Sequence, residues 1–292
     1  MRMKLIGFMG MLWALLLSAV SALAGALPLA PQVGDAYEIT LTRDSAQQGR
    51  DGSSGSSHDK DTIIERVIGV RADGLELQYD LPDTATADDR ASNWQFPARV
   101  FKPFGGPAQL VNGPELEARV DRWLKAAGWS RTVCGHWIFT WNAFRVECDP
   151  QSVIKTVQSF DLRSADVREG APYQEADARA HGKLARKAAG PNGAIFTVEM
   201  PVDPDAIRRA RAESDVAAGE IMNKPVSLDA ALRARAKEIV SGTISVAFET
   251  DSAGNVLRRT KVTKLHITGP GGRSETETVT ETLERRLISR RH

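Results

Sequence analysis

The chain has 292 residues, 42% of them apolar, and its 38 lysines and arginines balance 37 aspartates and glutamates to a net charge of +1. That balance excludes the broadly basic surface on which nucleic-acid binding depends, so no nucleic-acid partner is expected. With only 24 glycines and 14 prolines, fibrous and disordered classes are excluded too.

Residues 1–24 read as a secretory signal peptide. Arg2 and Lys4 precede an apolar run from Leu5 to Val20, and Ala22-Leu23-Ala24 supplies a small-residue cleavage box, with Ala24-Gly25-Ala26 as the alternative. The run could almost serve as a membrane anchor, but the box and Pro28 favour cleavage, and no cysteine stands nearby to take a lipid. Removing 24 residues from 292 leaves 268, with 36 basic and 37 acidic groups and a net charge of −1. The mature chain is expected in the bacterial periplasm or outside the cell, with no transmembrane segment.

Tyr37, Ile39 and Leu41 alternate with Glu38, Thr40 and Thr42, the period of a half-buried strand. Residues 44–61, DSAQQGRDGSSGSSHDKD, carry no large apolar side chain and read as a mobile loop. Gly52-Ser53-Ser54-Gly55 within it lacks the glycine spacing of a serine-hydrolase elbow. Asp73-Gly74 reads as a tight positive-φ turn, after which Leu75, Leu77, Tyr79 and Leu81 alternate with polar residues. A further strand is expected from Trp94 to Lys102. Asn112, Gly113 and Pro114 then open a helix with the stripe Leu116, Val120, Trp123, Leu124 and Ala127, closed by Gly128.

Residues 134–148 read CGHWIFTWNAFRVEC. A zinc site could draw on Cys134, His136, Cys148 and Asp149, but zinc sites pair their ligands at short spacing and number four. In an oxidising compartment, two cysteines in a chain form one bridge, so a Cys134–Cys148 disulfide is expected, with no metal and no cofactor. Asp149-Pro150 opens a short helix carrying Val153, Ile154, Val157 and Phe160. Its Ser152 and Lys155 match the Ser-x-x-Lys pattern of penicillin-interactive enzymes, but the companion motifs are absent and chance explains the match.

Leu162 to Asn192 shows no usable period. Ala194 to Val202 reads as a strand, Asp203-Pro204 starts a helix to about Met222, and Ser227 caps another ending near Gly242. Three strand runs follow, Thr243 to Thr250, Val256 to Thr268 and Ser274 to Leu283. A turn centred between Pro270 and Gly271 would set Lys264 opposite Glu277, His266 opposite Glu275 and Val262 opposite Val279. Residues 284–292 read as a flexible basic tail.

The expected class is α+β: a mainly antiparallel curved sheet built from N- and C-terminal strands, with helices from the middle of the chain packed on one face. Residues 25–292 form a single domain on this reading, and two smaller α+β domains are the competing one. The arrangement is similar in outline to periplasmic carriers that wrap an antiparallel half-barrel around helices, a likeness without a shared motif or site.

Ten of the 16 mature aromatic residues fall between Trp94 and Phe144. Trp94, Trp123, Trp129, Trp137 and Trp141, with His136, therefore form a candidate ligand-binding region, although core packing accounts for the same rings. His58, His181, His266 and His292 are scattered. The functional expectation is a non-catalytic envelope protein that binds or carries an apolar small molecule or an envelope component. An exported hydrolase using His136 and an envelope scaffold are the alternatives.

Overall fold

The computed structural model describes residues 31–139, 143–190 and 193–289. The signal peptide assigned to 1–24, Trp141 and His292 lie outside the described residues. No helix among the described residues is long and apolar enough to cross a membrane.

Ten strands form one antiparallel sheet. In chain order, β1 (Ala36–Gly49), β2 (Ser54–Arg71), β3 (Gly74–Asp80), β4 (Ala98–Pro103) and β5 (Gln109–Leu110) come from the N-terminal part. Two small hairpins follow, β6 (Trp137–Phe139) with β7 (Ala143–Arg145) and β8 (Pro172–Tyr173) with β9 (Gly182–Lys183). The C-terminal part supplies β10 (Ala185–Gly190), β11 (Gly193–Pro201), β12 (Ile239–Thr250), β13 (Val256–Thr268) and β14 (Ser274–Ser289). The sheet order β10-β11-β12-β13-β14-β1-β2-β3-β4-β5 joins both ends of the chain at the β14–β1 seam. Helices are α1 (Ala87–Ser92), α2 (Gly113–Ala126), α3 (Ser152–Ser159), α4 (Pro204–Ile221) and α5 (Leu228–Arg235). Buried side chains of α2, α3 and α4 share one core with the inner face of the sheet.

The sequence signals for helix starts hold where a side chain can act locally. Asp203 accepts from the Asp205 N–H at 2.9 Å and Ser227 from the Ala230 N–H at 3.3 Å. Gly128, at φ 70°, closes α2 and turns Trp129 back towards Leu124.

Five expectations are corrected. Residues 44–61 are not a loop, because β1 runs to Gly49 and β2 starts at Ser54. Their backbone groups pair in full register, aided by Ser45 with Ser57 at 2.9 Å and His58 with Asp44 at 2.6 Å. β14 pairs the other side of β1, so these polar residues need no core of their own. The tail is strand as far as Ser289, its Arg285 bonded to Glu65 and Arg286 to Glu38. The β13–β14 hairpin is one residue out of the expected register: Lys264 faces Thr278, His266 faces Thr276 and Val262 faces Thr280. Gly271 and Gly272, both at positive φ, lengthen the turn by one residue, and the odd-numbered residues of both strands share the inner face. Face parity thus outweighs charge pairing. Gly74 lacks positive φ; its missing Cβ would lie 2.4 Å from the Lys102 carbonyl, so glycine is needed for the approach of β4. Finally, α5 ends at Arg235 and Gly242 belongs to β12.

The inner face is apolar at its flanks, with Phe196, Val198 and Met200 on β11 and Leu75 and Leu77 on β3. Across the central strands charged side chains interrupt the apolar core: Arg259 and Lys261 on β13, Glu281 and Arg285 on β14, and Glu65 on β2. The segment 161–181, which showed no period, supplies their partners. Lys261 Nζ lies 3.2 Å from Glu175 and 3.1 Å from Asp177, Arg259 binds Glu175 and Tyr173, and Arg163 binds Glu65. Buried charge is tolerated only when paired in this way.

Candidate functional site

A cavity of about 500 Å³ lies between the inner face of β3–β4, α3 and the segment that follows it. Leu75, Val100, Pro103, Ala108 and Val157 line it with apolar surface, and Phe104, 69% exposed, stands at its edge. β alternation turns Leu75 and Tyr79 inward together, and Val100 and Lys102 likewise on the neighbouring strand. α3 starts where Asp149 accepts from the Gln151 N–H at 2.9 Å, and it presents Val157 to the cavity.

Polar groups gather on one side. Lys102 Nζ bonds Asp161 Oδ2 at 2.5 Å, and Ser164 donates to the same oxygen at 2.6 Å. Beneath them Glu65, 2% exposed, accepts from Arg163 Nε at 3.0 Å and Nη2 at 2.9 Å, from Arg285 Nη2 at 2.9 Å and from the Tyr79 hydroxyl at 3.1 Å. Both guanidiniums also approach the Tyr37 ring, Arg163 at 5.1 Å and Arg285 at 3.4 Å from its centre. Burial alone would raise the Glu65 carboxyl, but Arg163 and Arg285 outweigh it and hold it below its ordinary range. Asp161 follows the same logic, with Lys102 overcoming burial. Burial and then the Glu65 charge push the Tyr79 hydroxyl well up, so it remains a donor.

A second cavity, about 650 Å³, lies between the β1–β2 and β13–β14 turns and the helices α4 and α5. Its charges neutralise one another: Arg211 with Glu238 at 3.1 Å and Glu275 at 2.8 Å, and Arg235 with Asp215 at 2.6 Å.

The described tryptophans sit elsewhere, and among the described residues neither cavity is lined by one. Trp94 is core, 6% exposed. Trp123 and Trp129 meet edge to face at 5.6 Å, and Trp129 contacts Phe144 at 6.3 Å, a cluster packed against the core behind α2. Trp137 is half-buried on β6. Within CGHWIFTWNAFRVEC, β6 pairs antiparallel with β7, and a Cys134–Cys148 disulfide with Cα atoms 5.6 Å apart ties the flanking segments together. Both sulfurs are consumed in that bond. His136 projects from the hairpin, 66% exposed at its side chain, and its Nδ1 lies 2.9 Å from Glu220, which also accepts the Trp137 N–H at 3.2 Å. The Ser152 hydroxyl donates to the Asp149 carbonyl at 2.6 Å while Lys155 is exposed.

Sequence reading missed the cavity and its ionic side. One signal was present: Glu65 occupies an inward position between Ile63 and Val67 in an otherwise apolar alternation, which requires a buried partner.

No family model matches the chain, and no curated protein matches it in sequence. Among solved structures the chain is similar to lipovitellin, in a structure describing its lipid–protein interactions, at TM-score 0.40 and 8% identity over 88% of this chain and 25% of that one. It thus spans about a quarter of the lipovitellin chain. It is also similar to Ail, the attachment invasion locus protein of Yersinia pestis, at TM-score 0.19 and 3% identity over 87% and 99% of the two chains. The COG4313 outer membrane channel of Pseudomonas putida F1 aligns at TM-score 0.20 and 6% identity over 88% and 97%. Scores this low assign neither fold nor function.

Proposed function

We propose that the protein is a non-catalytic binding protein of the bacterial envelope, and that it holds an apolar or amphiphilic small molecule in the cavity between β3–β4 and α3. The observation that carries this reading is the cavity itself, whose apolar wall and few convergent polar groups, at about 500 Å³, suit a small-molecule site. A disulfide and the signal-peptide pattern support an extracytoplasmic setting. The Trp123–Trp129–Phe144 cluster and the bridged hairpin act as packing support on this account.

Titration with the neutral fluorescent probe N-phenylnaphthylamine tests it. Saturable binding is expected in the natural chain, lost in Ala108→Trp, which fills the cavity, and kept in Trp137→Ala. The reverse pattern would return the site to the tryptophan region. The hydrolase alternative keeps one supporting observation, the exposed His136–Glu220 pair. Ester or peptide turnover abolished by His136→Ala would favour it instead.

A further inference from the structure

The charges beside the cavity do not cancel. Lys102, Arg163 and Arg285 face Glu65 and Asp161, so these five groups sum to +1 at neutral pH. Glu65 serves two arginines at once, and Arg285 Nε is buried with no hydrogen-bond partner among the described residues. Lys102 reaches the cavity wall, its side chain 17% exposed. An ammonium has three N–H donors, and Asp161 takes one, leaving two for a ligand. An apolar wall faces this surplus.

We infer that the ligand is an anionic amphiphile, an apolar chain ending in one carboxylate or phosphate that receives hydrogen bonds from Lys102 in the cavity between β3–β4 and α3. This rests on the cavity reading above and adds the sign of the headgroup. A neutral or cationic headgroup would leave the surplus positive charge uncompensated, whereas an anion offsets it in a partly desolvated site where charge-assisted hydrogen bonds are strong. The paired charges of the larger cavity offer no such excess.

Calorimetric titration of the full chain with decanoate, decyl phosphate, decanol and decyltrimethylammonium tests the inference. Decanoate or decyl phosphate is expected to bind about tenfold or more tighter than decanol, the gain of one charge-assisted hydrogen bond. Which anion binds tighter distinguishes a carboxylate from a phosphate headgroup. Lys102→Met should bring the better anion down to decanol's level with decanol unchanged, and Asp161→Asn should widen the anion's advantage. Those opposite shifts separate headgroup recognition from misfolding, which would weaken every ligand together. Equal binding of anion and alcohol, or preference for the cation, overturns the inference and leaves the cavity reading standing. Failure of all four to bind overturns both.

Discussion

Glu65 shows how one residue ties the fold to the proposed site. Its carboxylate is held below the ordinary value of 4.5 by Arg163 and Arg285 against the cost of burial. The folded chain therefore takes up this proton less readily than the unfolded chain. The stabilisation is complete above the unfolded value and is lost as pH falls through the lower folded value. Urea midpoints should accordingly drop as pH is lowered from neutral through the carboxylate range. Glu65→Gln should flatten part of that slope and cost about 3–5 kcal/mol at neutral pH, because two buried guanidiniums lose their counter-charge. Asp161 and Glu175, also depressed, sustain part of the remaining slope. Tyr79→Phe removes only one donor to Glu65 and should cost about 1–3 kcal/mol.

At the scale of elements, two tight junctions lend themselves to test. Gly74 sits where β3 and β4 nearly touch, and an added Cβ would lie 2.4 Å from the Lys102 carbonyl and 2.7 Å from Pro103 Cα. Gly74→Ala should cost about 1–3 kcal/mol by urea denaturation and weaken probe binding, since the backbone carrying Lys102 must shift. The segments flanking β6 and β7 are tied together by a bridge between residues 14 apart. Cys134→Ser with Cys148→Ser should cost about 3 kcal/mol in the loop-entropy account and lower Tm, while leaving probe binding intact because the cavity lies on other elements. Reduction followed by intact-mass measurement checks that the bridge is closed in the purified protein.

At the scale of the whole molecule, β14 against β1 makes the two ends of the chain neighbours in one sheet. Charges on the 161–181 segment then cross that sheet from the helical middle. From this coupling we propose a single domain rather than two. We expect one cooperative unfolding transition, with tryptophan fluorescence, which reports only on residues 94–141 of the mature chain, coinciding with far-ultraviolet circular dichroism. Separate midpoints would favour two domains.

What the sequence determined by itself was local. The caps at Asp203 and Ser227, the α2 stripe, the alternation of β3 and the single pair of cysteines each act through neighbours a few residues away or through composition, so each was legible in one dimension. What only the tertiary structure decided depended on distant partners. Residues 44–49 and 54–61 are strand because β14 lies beside β1, and Lys264 faces Thr278 because inner-face parity outweighs local charge pairing. The cavity's ionic side joins Glu65 to Arg163, 98 positions on, and to Arg285, 220 positions on. Backbone pairing and buried charge are satisfied by whichever group the fold brings near, and no local pattern encodes which group that is.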